Sequence, residues 1–310
     1  MRAAALPLND DERAERSARI RADLTRQRLA LLDRLVAEGA GDLAAQLETC
    51  GQATSLTCTS CGDRHPIETR CKRRWCPTCS RKISFDRVVK YSRRLQGLKW
   101  PLWVTLTIRN SDDEKIVEQL KSGWQKFKRK KIMTAHCQGG LWALEVTERG
   151  NGWHPHIHAM LDCKWLAHNT PPPHHLDPPD VVSEKLEYAK AELSQEWGAC
   201  VDQDWAIALA VRKRGDHAVR ELLKYAVKGS DLLDSLLPIA PLIRQIDSGR
   251  TISTFGSLRN GKLPAEADDD KPKLACTQCG AEGAWLPSEI GDRMFGPPVA
   301  RMVTYRNAAQ

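Results

Sequence analysis

The stretch Gly152-Trp-His-Pro-His-Ile-His-Ala-Met-Leu161 decides the fold. It sets His154, His156 and His158 two residues apart inside an otherwise apolar run. Alternate residues of a β-strand share a face, so this spacing predicts three imidazoles on one side of a sheet. Ile157, Ala159 and Leu161 then pack into the core from the other side. Two neutral imidazoles two residues apart on a strand can chelate one divalent cation. A lone His-x-His pair is equally a pair of polar residues on a solvated face, so its neighbours decide.

Upstream runs Gly140-Leu-Trp-Ala-Leu-Glu-Val-Thr-Glu148, a second strand-like segment, with Gly150 and Asn151 between the two. A Gly-Asn pair between two β-type runs signals a hairpin, because glycine supplies the positive φ that such turns need. With that loop the register sets Glu145 opposite His156, on the histidine face. One carboxylate and two imidazoles suit Mg²⁺, Mn²⁺ or another mid-series ion, with positions left open for water or a substrate oxygen. His154 is a spare ligand, or a hydrogen-bonding residue near the hairpin mouth.

The chain has 310 residues, with 47 Lys plus Arg against 39 Asp plus Glu, a net charge of +8. The distribution says more than the total. Lys126-Phe-Lys-Arg-Lys-Lys131 carries five cations in six residues, and Cys71-Lys-Arg-Arg-Trp-Cys76 embeds three between cysteines. Such runs are often solvated faces. Here they flank candidate metal ligands, which points to a polyanionic substrate gripped by Arg73, Arg74, Lys128, Arg129 and Lys130 rather than to a small molecule. No stretch approaches the roughly 18 to 20 apolar residues of a membrane span, and the N-terminus is too short in apolar residues for a secretory signal. The expected location is cytoplasmic. There the 11 cysteines are not expected to form disulfides, so clusters among them point to metal.

Cys58-Thr-Ser-Cys61 and Cys76-Pro-Thr-Cys79 are two Cys-x2-Cys knuckles 14 residues apart. Tetrahedral zinc wants four thiolates, and each knuckle presents two sulfurs to one ion. With Cys71 also nearby in sequence, four of Cys58, Cys61, Cys71, Cys76 and Cys79 are expected to hold a structural Zn²⁺. Cys276-Thr-Gln-Cys279 is a third knuckle, either half a zinc site or two ordinary thiols. Cys137, Cys163 and Cys200 read as small buried apolar residues.

Along the chain, Asp10 to Glu48 has helix composition, broken near Gly39-Ala40-Gly41. Trp100 to Arg109 alternates and reads as a strand. Helical patterns follow over Glu114–Met133 and Val182–Cys200, a strand over Trp205–Arg212, and a helix capped by Asp216 and running to about Lys228. The proline-rich segment 170–179 is irregular. Interleaved helices and strands with a hairpin predict an α+β fold, an antiparallel sheet with flanking helices.

In the last of those helices Glu221, Tyr225 and Lys228 fall at i, i+4 and i+7 and share a face. Most helix tyrosines are packing residues. Beside a divalent ion, however, a phenolate can attack phosphorus, with Lys228 favouring the charged form and Glu221 activating water or a second strand.

Three segments together resemble a known family. Trp103-Val-Thr-Leu-Thr-Ile-Arg-Asn110, Gly152-Trp-His-Pro-His-Ile-His158 and Glu221-Leu-Leu-Lys-Tyr-Ala-Val-Lys228 look like the ordered motifs of plasmid rolling-circle replication initiators, HUH endonucleases of Rep type. Cys71 to Cys79 resembles the cysteine cluster ahead of their catalytic domain, and Thr254-Phe-Gly-Ser-Leu-Arg259 a further family segment. The resemblance implies that His156 and His158 bind the catalytic metal and that Tyr225 nicks single-stranded origin DNA. Tyr225 would hold the 5′ phosphate covalently and free a 3′ hydroxyl as primer, with host helicase and polymerase as partners and Glu221 serving termination. With the resemblance spanning about residues 50 to 260, the chain is expected to divide into a helical region (1–49), a zinc module (50–99), an HUH endonuclease domain (100–260) and a tail (261–310). Insertion-sequence transposases of HUH type share these features but commonly carry two tyrosines, where Glu221 stands here. A non-catalytic zinc-dependent DNA-binding regulator would leave the histidine strand idle.

Overall fold

The computed structural model describes residues 9–148, 150–204, 208–211, 216–223, 229–260, 275–282 and 285–287. In chain order these form α1 (Asp10–Ala37), α2 (Gly41–Glu48), β1 (Ala53–Cys58), β2 (Arg64–Glu68), α3 (Pro77–Gln96) and β3 (Pro101–Thr107). Then come α4 (Ile116–Phe127), α5 (Lys131–Thr134), β4 (Cys137–Glu148), β5 (Trp153–Cys163), α6 (Pro179–Val201) and β6 (Ala208–Val211). The last are α7 (Asp216–Leu222), α8 (Gly229–Asp234), α9 (Ile239–Asp247), β7 (Ile252–Gly256), α10 (Ser257–Asn260) and β8 (Trp285–Pro287). The fold is α+β, with antiparallel sheets and flanking helices.

The chain divides into two units. One is Met1–Glu48 with Cys71–Leu263; the other is Thr49–Arg70 with Pro264–Gln310. The N-terminal helices belong to the larger unit for a physical reason. Arg34 of α1 donates to the carbonyls of Leu232, Leu233 and Leu237, and the Glu38 carboxylate accepts from the amides of Ile239 and Ala240 at the start of α9. One side chain thus satisfies carbonyls left open after α8, and the other the orphan amides of α9. Leu31 and Leu35 of α1 are fully buried. The first turn of α1 is closed by a capping box of Asn9 and Glu12.

In the larger unit five strands run in the order β6-β3-β5-β4-β7, each pair antiparallel. Strand pleating divides their side chains between two faces. On one face the rings of Trp124 and Trp142 lie 6.0 Å apart, Phe127 meets Trp197 edge-on at 5.7 Å, and the Trp197 indole donates to the Thr107 carbonyl at 2.7 Å. These contacts seat α4 and α6. On the other face Trp103, Leu141, Ala143 and Met160 cluster with Leu95, Leu98, Ala218, Val219, Leu222 and Leu223. That cluster seats α7 and the end of α3 beside the positions that alternate onward to Glu145, His156 and His158. β7 closes against β4 through Gly256, whose φ is +57°. A Cβ there would sit 2.3 Å from the Gln138 carbonyl oxygen, so only glycine fits.

In the smaller unit β2, β1 and β8 form an antiparallel sheet with Cys58 opposite Trp285. Among the described residues no helix is long and apolar enough to cross a membrane.

Candidate active site

The β4–β5 hairpin sets Glu148 opposite Trp153 and Glu145 opposite His156, the register that the Gly150-Asn151 loop predicts. Gly152 makes this turn possible: its φ is +86°, and a Cβ there would lie 2.7 Å from a carboxylate oxygen of Asp112. The alternation of β5 is visible in its burial, with His154, His156 and His158 half-buried between fully or nearly buried neighbours.

Glu145, His156 and His158 converge. One carboxylate oxygen, Glu145 Oε2, lies 3.1 Å from His156 Nε2 and 3.1 Å from His158 Nε2. Burial opposes the charge on Glu145, but the two imidazoles outweigh it and hold the carboxyl well below the ordinary range. Burial likewise pushes the His158 pKa down, against the pull of Glu145 and of Glu221. That lowering favours the neutral imidazole, the form a metal ligand needs.

The outward nitrogens have partners that suit the tautomer a metal ligand needs. His156 Nδ1 lies 3.3 Å from the His154 carbonyl, which can accept a proton from it and so leave the Nε2 lone pair for a metal. His158 Nδ1 lies 3.1 Å from Thr105 Oγ1, which accepts from the Trp103 indole at 2.9 Å. A His158 Nδ1–H donating to Thr105 would likewise leave Nε2 for a metal. Ligands about 2.1 Å from an octahedral ion stand about 3.0 Å apart when cis, close to the spacings seen here. The donor set therefore fits a divalent ion of the Mg²⁺ or Mn²⁺ type. His154 serves through its carbonyl rather than as a ligand. Thr105 and Trp103 were not singled out in the sequence, although their parity in β3 places them on this face.

Glu221 lies on α7, close enough for its charge to act on His158. Tyr225 and Lys228 lie outside the described residues.

The cysteines regroup. Cys58 and Cys61 lie with Cys276 and Cys279, whereas Cys76 and Cys79 lie with Cys71. The expected sharing of one ion by the two early knuckles is thus replaced by two separate sets. Sequence proximity could not show this grouping, because Cys279 Sγ, 3.7 Å from Cys58 Sγ, is 221 residues away. In the second set Cys76 precedes Pro77 at the start of α3, and Cys71 Sγ is 3.7 Å from Cys79 Sγ. Cys71 first, and then Cys79, push the Cys76 thiol far above its ordinary range. Three thiolates could coexist there only around a cation. Cys163 and Cys200 are buried, and Cys137 pairs with Cys163 across the sheet, in line with small packing residues.

The cations expected to grip DNA divide into two kinds. Arg74 donates to the Gly249 carbonyl at 2.7 Å and to Thr251 Oγ1 at 3.0 Å, so it fastens the turn after α9. Arg73 reaches Asp247 at 3.6 Å, and Lys130 pairs with Glu196 at 3.1 Å. Lys128 lies 5.7 Å from the Trp124 ring centre and 5.8 Å from that of Phe255, and burial lowers its pKa. Arg129 is exposed.

Residues 66–165 match a family model described as a replication protein. That span takes in Cys71, Cys76, Cys79, Thr105, Glu145, His156 and His158, and ends before Glu221 and Tyr225. The match supports a rolling-circle replication initiator. No curated protein and no solved structure matches the chain.

Proposed function

We propose that this chain, whose residues 66–165 match a family model described as a replication protein, is a plasmid rolling-circle initiator that nicks single-stranded origin DNA. The observation that carries the reading is the trio Glu145, His156 and His158, with both Nε2 atoms turned toward one carboxylate oxygen. A divalent ion held there supplies Lewis-acid polarisation of the scissile phosphate.

Tyr225 is the proposed nucleophile. It lies two residues beyond Leu223, which packs on the histidine face of the sheet. Its phenol oxygen forms a bond to phosphorus as the bond from phosphorus to the 3′ oxygen breaks. The phenol proton is lost, and the departing 3′ oxygen takes up a proton. The products are a 5′-phosphotyrosyl ester and a free 3′ hydroxyl, so no energy-rich cofactor is consumed. An ordinary phenol has a pKa of about 10, and the cation of Lys228 favours the reactive phenolate. Glu221 is the proposed base that activates water or a second strand to resolve the ester at termination. Zn²⁺ in the cysteine sets is structural. The 3′ hydroxyl primes host polymerase while host helicase opens the duplex.

The polarity of the cut tests this. A 5′-labelled origin oligonucleotide incubated with protein and Mn²⁺ should give a labelled fragment that DNA polymerase extends on a template. A fragment ending in 3′ phosphate, refractory to extension, would rule out the proposed chemistry.

A further inference from the structure

We propose that Cys58, Cys61, Cys276 and Cys279 bind one zinc ion that joins the knuckle at the end of β1 to the knuckle near residue 276, separate from the Cys71, Cys76 and Cys79 set. The site lies wholly within the smaller unit, and it does not depend on the nicking reaction.

The two knuckles are built alike. The amide of Cys58 donates to the Asp63 carbonyl at 2.8 Å, and that of Gly62 to the Cys58 carbonyl at 2.9 Å. In the other knuckle the amide of Cys276 donates to the Ala281 carbonyl at 2.9 Å, and that of Gly280 to the Cys276 carbonyl at 2.8 Å. The offsets from the first cysteine are the same in both. Gly62 and Gly280, each following the second cysteine, have φ of 75° and 73°. Two turns of one design therefore face each other, each offering two sulfurs.

The sulfur spacings fit an ion. Cys58 Sγ lies 3.7 Å from Cys279 Sγ, and Cys61 Sγ lies 3.6 Å from Cys276 Sγ. Four sulfurs about 2.3 Å from a tetrahedral zinc stand about 3.8 Å apart. A disulfide requires about 2.05 Å. All four sulfurs lie within 4.8 Å of one another.

The unit also needs the ion. Strands β1 and β2 show mostly exposed or half-buried residues, so their sheet encloses little apolar core. β8 has three residues. A unit so poor in buried apolar surface gains its cohesion from metal, as small zinc-dependent folds do. Zinc thus holds the segment around residue 276 to β1 across more than 200 residues of intervening chain.

Alkylation of the full-length wild-type protein with iodoacetamide, read by peptide mass spectrometry, tests the assignment. Cys61 and Cys279 are exposed, so metal ligation is what would keep them unreacted. In zinc-loaded protein Cys58, Cys61, Cys276 and Cys279 should be protected together and should label together once a chelator removes the metal. Labelling of Cys276 and Cys279 in zinc-loaded protein while Cys58 and Cys61 stay protected would overturn the proposal. A Cys276→Ser, Cys279→Ser double variant should lose one equivalent of zinc per chain relative to wild type. An unchanged zinc content would also overturn it. Neither readout involves DNA, so failed nicking would leave this result standing.

Discussion

Thr105 and Trp103 act on the candidate active site without entering it. Thr105 Oγ1 lies 3.1 Å from His158 Nδ1, and by accepting that N–H it would leave Nε2 for an ion. The Trp103 indole fixes the hydroxyl. Thr105→Val keeps the shape and removes the acceptor, so Mn²⁺ affinity should fall about 10–100-fold, the usual effect of losing such a partner. Titration followed by electron paramagnetic resonance would show it, and unchanged affinity would mean that the tautomer is set otherwise. Glu145 was legible in the sequence because a two-residue loop fixes hairpin register over its whole length. The Arg74 role was not, because its partner carbonyls lie 172 and 175 residues onward. Local pattern cannot show where a long cation ends.

At the scale of elements, the segment before α3 is fastened to the end of α9. The buried Trp75 indole donates to Asp247 at 2.8 Å, and Arg73 shares that carboxylate. Asp247→Ala leaves a buried donor unpaired and should lower stability by about 1–3 kcal/mol, measurable in the urea midpoint. An unshifted midpoint would mean that the segment is held elsewhere. Gly256→Ala probes the β4–β7 junction. Its left-handed backbone alone costs a residue with a Cβ about 1–3 kcal/mol, and the contact with Gln138 adds to this. Thermal unfolding should therefore start earlier. The period of β5 and the break between α1 and α2 were plain in the sequence, since both are local patterns. The docking of α1 on α8 and α9 was not, because Arg34 and Glu38 look like ordinary surface charges on a helix.

For the whole molecule, the basic excess has two uses, which salt separates. Single-stranded DNA binding should weaken with a log-log slope of about −0.7 per phosphate contacted. Arg129→Ala should make that slope shallower by about 0.7 if its exposed guanidinium meets a phosphate. Arg74→Ala should leave the slope unchanged and lower thermal stability, because its side chain fastens a turn. The reverse pattern would reassign both residues. The α+β class and the antiparallel sheet followed from alternating patterns. The division into units did not, because the smaller one is assembled from segments more than 190 residues apart in the chain.

The most direct test of the account is the identity of the residue that becomes joined to DNA. Wild-type protein incubated with single-stranded origin DNA and Mn²⁺, then digested with nuclease and protease, should yield one nucleotide-bearing peptide, modified at Tyr225. That peptide should be absent from Tyr225→Phe and strongly reduced in Glu145→Gln. A nucleotide on any other residue, or adduct formation unchanged in Tyr225→Phe, would contradict the account.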